Sequence, residues 1–200
     1  MNLFVTHEDP FIASTHLDDV RLNKMILESC QMLLTALANN GLDKNSMPLT
    51  KSGTVFKTNG FKRHPVTVWT GQNLSNLEWH LSYLKGMLQE YVYRFNKIHS
   101  LAHVVPFVEN NSHVIAPGEL TKFQNSSEFK DVEDTVEAYR RGMNAKWLRD
   151  VIKVKWSKRQ PPEWVQIPIA AKDSVFFRCR DLAAPENRSF AIDVPNIKHN

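Results

Sequence analysis

The sequence predicts a mainly α protein, a compact helical domain followed by a small C-terminal extension containing short strands. Three observations predict it. Leu74, Leu77, Leu81, Leu84, Leu88, Tyr91, Phe95 and Ile98 alternate spacings of three and four, the signature of one apolar face on a long helix over about 73–99. A second helical pattern runs from His16 to about Asn40, with Asp18 and Asp19 near its positive end and Gly41 as a stop. A third spans about 132–152, where Val136, Tyr139, Met143, Trp147 and Val151 share a face.

The remaining elements follow in chain order. The opening NLFVT is apolar but too short to classify by period. Residues 41–60, rich in Gly, Asn, Ser, Thr and Lys, predict a long loop, and loops of that length often carry function. Pro65 suits a first helical turn, and Gly71 separates that region from the long helix. Ser100 is a candidate cap for a short helix, LAHVVPFVENN, interrupted by Pro106. RQPPEW at 159–164 cannot be helical throughout, because two prolines remove donors. QIPIA, SVFFRCR and SFAIDV read as short extended segments. The division expected is a helical domain over 1–164 with an extension, 165–200, packed on it.

Two hundred residues, 42% hydrophobic and 23% charged, suit one globular domain and exclude disordered or collagen-like chains. No uncharged apolar run approaches the roughly 18–20 residues that cross a bilayer, and MNLFVTHEDP has neither a basic n-region nor a long apolar one. The expectation is a cytoplasmic protein that does not engage membranes. Cys30 and Cys179 are too few for a disulfide framework or a four-ligand zinc site, and both read as reduced thiols. The formal charge is +4, concentrated in KTNGFKRH at 57–64 and in Arg140–Arg159, where Trp147 and Trp156 interleave with cations. That pattern suits a phosphate backbone with stacking partners; a solvated helix face over core tryptophans is the plainer alternative.

On the first long helix, Leu17, Val20, Leu27 and Leu34 form one apolar stripe and Leu22, Ile26, Leu33 and Leu37 another, almost opposite. Between them lies a polar ribbon of Arg21, Lys24, Glu28, Gln31 and Thr35. A carboxylate between cations in a partly dry site suits general acid or base work, with Lys24 and Arg21 stabilising an anion. An exposed i,i+4 face is the alternative. His64 is a candidate proton shuttle or phosphate ligand, with Trp69 as a stacking wall for a base. Glu90 and Arg94 have the spacing of a structural ion pair, although Arg94, with His99 beyond it, also has the chemistry to hold a phosphate. Walker, GxGxxG, GxSxG and HExxH motifs are missing, and the His99–His103 pair has no obvious third ligand, so no cofactor or metal is expected.

PFIASTHLDDVRLNKMILESCQML, NGFKRHPVTVWTGQNLSNLEWHLSYLKGMLQEYVYRFNKIH and KRQPPEW together resemble phage-encoded proteins related to pyrimidine-dimer DNA glycosylases of the endonuclease V type. The resemblance covers residues 1 to about 100 plus the Pro-Pro-Glu-Trp element. It implies an all-α fold, double-stranded DNA with damaged or modified pyrimidines as substrate, a bacterial host cytoplasm as location, and a flipped base read in a pocket. By position, Arg21 would grip phosphate and Glu28 would be the catalytic carboxylate. Members of that family attack the sugar with the α-amine of a small second residue. Here Asn2 stands at that position, a poor fit for removal of Met1, and is expected instead to meet a base edge at the pocket floor.

The function expected is an enzyme that flips a pyrimidine nucleotide and cleaves its glycosidic bond or modifies its base. Its catalytic residues would be Glu28, Lys24 and His64. Asn2, Arg21, Gln31, Trp69, Arg94 and His99 would contact substrate, and Lys62, Arg63 and Arg149 the DNA backbone. The alternatives are a non-catalytic DNA-binding or host-takeover protein on the same fold, and an enzyme acting on free pyrimidine nucleotides.

Overall fold

The computed structural model describes residues 3–167. Asn2 and the strands expected in the extension beyond 167 lie outside the described residues. Among the described residues six α-helices follow one another: α1 (Pro10–Thr15), α2 (Asp19–Asn39), α3 (Pro65–Thr70), α4 (Leu74–Phe95), α5 (Val104–Asn111) and α6 (Thr135–Arg149), with short 3-10 turns at Lys44–Ser46 and Ser112–Val114. The mainly α class holds. The long loop 41–60 carries one isolated antiparallel bridge, Leu49 to Val55.

Side-chain caps set most of the starts. Asp9 accepts from the Phe11 and Ile12 amides, with Pro10 in the first turn of α1. Asp18 accepts from Val20 and Arg21 at the head of α2, Asn73 from Asn76 at α4, and Asp134 from Val136 at α6. At α1, six residues are too few to build a periodic signal. Pro106 does not interrupt α5, because it falls in the first turn, where no intrahelical bond is lost.

α4 is the central element, packing against α1, α2, α3 and α5. Gly86 marks the closest crossing: a Cβ there would lie 2.5 Å from Ser14 Oγ and 3.2 Å from the Phe11 Cα of α1. Leu77, Leu84 and Met87 of α4 join Leu22, Ile26, Leu33 and Leu37 of α2 in one apolar core, which Tyr139, Met143 and Trp147 of α6 extend.

Three periodic expectations are corrected. α4 stops at Phe95 because Asn96 takes a left-handed conformation (φ 51°), leaving Ile98 exposed outside the helix. α6 stops at Arg149, so Val151 leaves the face it was expected to share and is fully solvent-exposed. On α2 only one stripe is wholly buried; Val20 and Leu27 are exposed, and the polar ribbon runs along the border between core and solvent. The tryptophans of the basic stretch, Trp147 and Trp156, are core residues.

Candidate active site, a basic cleft at the head of helix α2

The first turns of α2 form one wall of a cleft of about 430 Å³; Lys146 and the chain from Asp150 to Val154 form the other, and Phe4 borders it. That volume falls in the range of small-ligand sites. Two buried or half-buried acids at the start of α2 position the opposite wall. Asp18, almost fully buried, caps the helix and also accepts from Arg21 Nη1 at 2.9 Å and from Trp147 Nε1 at 2.8 Å. Asp19 accepts from the Ser157 amide at 3.0 Å and hydroxyl at 2.6 Å, while its own amide donates to the Lys155 carbonyl at 2.9 Å. Arg21 closes the bracket by donating to Asp150 Oδ2 at 2.7 Å.

Two turns on, Glu28 faces the same cleft; its side chain is 11% exposed and its carboxylate lies 3.5 Å from the Lys24 ammonium. Lys24 itself is 68% exposed. A carboxylate largely removed from water needs ionic or hydrogen-bonding neighbours. The helical period therefore brought together three of the expected residues, Arg21, Lys24 and Glu28. Lys146 and Lys153, seen in the sequence only as part of a basic run, complete a cationic cleft around the acid. A second depression, about 340 Å³, shares Phe4 and Lys146 with the first and reaches Arg149. There Arg149 donates to both oxygens of Glu128, at 2.6 and 3.1 Å, and that contact holds the Glu128 carboxyl below its ordinary range.

The other expected site residues lie elsewhere. His64 caps α3, its Nδ1 accepting from the Val66 amide at 3.3 Å, and does not line the cleft. Trp69 is not a stacking wall: it is 5% exposed and packed against Trp79 and Phe123, with ring centroids 6.2 and 5.7 Å away. Arg94 is not available to a phosphate either. Its guanidinium is fully buried and donates to Glu90 at 2.7 Å, Asp19 at 3.1 Å and the carbonyls of Leu17 and Thr15 at 2.7 and 3.0 Å. Arg159 completes this network by donating to both oxygens of Glu90.

His99 accepts from the Leu101 amide and meets the edge of Tyr91, and burial lowers its pKa. Gln31 is half-buried farther along α2, outside the residues lining the cleft. Lys62 and Arg63 are exposed near the far end of α2, where Asn39 donates to the Lys62 carbonyl, about 16 Å of helix beyond Glu28. The nearby Lys44 lowers the Lys62 ammonium pKa. His16, seen in the sequence only as a helix start, pairs with Thr6 Oγ1 at 2.9 Å; burial, helped by Arg140, His7 and Arg159, pushes its pKa down to about 4. The Cys30 thiol is fully buried and pushed upward by that burial, which suits packing and not attack.

Fold and cleft together define a class: a helical protein with a cleft that sets a sheltered carboxylate among cations. The chain belongs to the pyrimidine dimer DNA glycosylase family, whose family model matches residues 1–103. That span includes α1 to α4, and hence the α2 wall with Arg21, Lys24 and Glu28; the wall from Lys146 to Val154 lies beyond it. Comparison with curated proteins and with solved structures returned no match. No helix among the described residues is long and apolar enough to cross a membrane.

Proposed function

We propose that this chain is a DNA glycosylase-like enzyme that takes a pyrimidine nucleotide out of the duplex into the cleft at the head of α2 and acts on its glycosidic bond or its base. One observation carries the reading: Glu28, nearly out of water, stands in a nucleotide-sized cleft with Arg21, Lys24, Lys146 and Lys153 around it. Family membership makes DNA the substrate class. Glu28 is the acid/base group, poised to move a proton at the sugar or the leaving base. Lys24 stabilises negative charge developing beside it, and Arg21, bonded to Asp18 and to Asp150, holds the two walls of the cleft in register. Lys62, Arg63 and Arg149 stand farther out and suit contacts to the flanking backbone, as Lys153 does at the mouth. A modified pyrimidine fits this arrangement as well as an ultraviolet lesion does.

Duplexes carrying ultraviolet dimers, abasic sites or 5-hydroxymethyl pyrimidines test the reading, each followed for base release and for covalent capture under borohydride. Turnover is expected on one of them, with Glu28→Gln lowering kcat at least about a hundredfold while DNA affinity stays within about threefold. Full turnover by Glu28→Gln refutes the assignment. A binding-only protein on the same fold is favoured by one observation, that Arg21 already has both its bonding directions satisfied by carboxylates. Such a protein would turn over none of these duplexes, and its salt-dependent affinity would fall on charge removal at Lys62, Arg63 or Arg149. Activity on free pyrimidine nucleotides, independent of DNA length, would mark the third possibility.

A further inference from the structure

The segment that leaves α6 is unusual for a soluble surface. Val151 is 101% exposed, Ile152 is 68% exposed, and Leu148 just before them is 64% exposed. Scattered apolar residues on a surface need no explanation, but here the pair occupies the tip of one turn and lines the mouth of the Glu28 cleft together with Val20. Cations surround it: Lys146, Lys153 and Lys155 flank it in sequence and Lys24 faces it across the cleft, while the nearby Arg149 and Arg21 are paired with Glu128 and with Asp18 and Asp150.

The tip is also braced. On one side Trp147 donates to Asp18 and Asp150 accepts from Arg21; on the other the Lys155 carbonyl accepts from the Asp19 amide, and Ser157 bonds the Asp19 carboxylate. Every one of these bonds ends in the first turn of α2, the helix that carries Glu28. A short turn held at both ends by hydrogen bonds, some to a buried acid, has little freedom to fold its apolar tip back onto the protein. The bonds thus hold Val151 and Ile152 away from the core of the described residues.

We propose that Val151 and Ile152 form an apolar wedge that enters the base stack of duplex DNA where a nucleotide has been drawn into the neighbouring cleft. The inference rests on the glycosylase-like reading of that cleft. Apolar side chains inserted at a base step unstack and kink the duplex, and need flanking cations to bring phosphates close. This tip supplies both features within a few residues of the carboxylate wall. Two β-branched or aliphatic side chains present a compact, stiff edge that replaces the stacking lost when a nucleotide leaves, whereas a polar tip would not. The wedge lies outside the span matched by the family, so the device belongs to this chain's own second half.

The test uses the full chain with a short duplex bearing a central thymine dimer and 2-aminopurine beside it, and a matched undamaged duplex. The unsubstituted protein is expected to raise 2-aminopurine fluorescence as the stack opens. Val151→Ser/Ile152→Ser is expected to abolish that rise and weaken binding to the dimer duplex about tenfold, while affinity for the undamaged duplex stays within about twofold. Val151→Leu/Ile152→Met, which keeps an apolar tip, is expected to retain the signal. Both residues are exposed, so the melting temperature of either variant should not move. An undiminished fluorescence rise in the serine variant overturns the wedge, and so does the lack of any rise in an unsubstituted protein that binds the duplex. Self-association lost in the serine variant with DNA readouts unchanged would overturn it in favour of a contact between copies of the chain. If the unsubstituted protein binds neither duplex, the DNA reading itself fails and the wedge with it.

Discussion

Arg94→Met tests whether Arg94 belongs to the fold or to the substrate. In the structure its guanidinium is fully buried between Glu90 and Asp19 and also donates to two backbone carbonyls, of Leu17 and Thr15. Methionine keeps an unbranched apolar stem but lacks the guanidinium and donates nothing. Two carbonyls lose a donor, and among the described residues the buried Glu90 carboxylate keeps Arg159, whose side chain is 38% exposed. Breaking a buried ion pair by removing one partner costs about 3–5 kcal/mol. For a chain of this size each kcal/mol moves the melting midpoint by about 2–4 °C. The expected drop is therefore about 6–20 °C, read by circular dichroism and by urea unfolding, where the midpoint should fall without a change in slope. Adding Glu90→Gln should cost less than the sum of the two single changes, because the orphaned charge is gone. A melting midpoint within about 3 °C of the unsubstituted protein, with a changed salt dependence of DNA binding instead, would refute the structural role and return Arg94 to the backbone-contact group.

Two further predictions concern stability. His16, with its pKa pushed down to about 4, and His80, fully buried and pushed down to about 3, are neutral in the fold but ordinary in the unfolded chain. The unfolded state then binds more protons below about pH 6.5, so stability is full above that pH and falls as pH drops toward about 4, by up to about 1.4 kcal/mol per pH unit per histidine. Urea midpoints at pH 7 and pH 5 should show the loss, and a His16→Gln/His80→Gln protein should show a shallower one; equal slopes would sink the assignment. Gly86→Ala should destabilise by about 1–3 kcal/mol, since its methyl would meet Ser14 and the α1 backbone, and Gly86→Ala/Ser14→Gly should recover part of that cost. An unchanged melt for Gly86→Ala would mean that α1 moves aside freely.

The local sequence was enough to place every long helix. Apolar spacing over 74–95, Asp18 at the head of α2 and Pro65 in the first turn of α3 act within a few residues, and those interactions are the same wherever the helix later packs. It also put Arg21, Lys24 and Glu28 on one ribbon, because a helix carries its own geometry. It could not say which polar groups the tertiary structure would bury. Arg21 and Arg94 look alike in the sequence, each near an acid at helical spacing. Only packing sends Arg94 into the core against Leu17 and Thr15 and leaves Arg21 at the cleft. Trp69 likewise follows a basic loop yet joins Trp79 and Phe123, a choice made by residues 10 and 54 positions away. The second wall of the cleft is the plainest case. Lys146, Asp150 and Val151 reach the head of α2 through bonds that span about 130 residues, from Trp147 to Asp18 and from Arg21 to Asp150. A periodic pattern reports only which side of one helix is apolar, whereas the site depends on which segments that apolar side brings together.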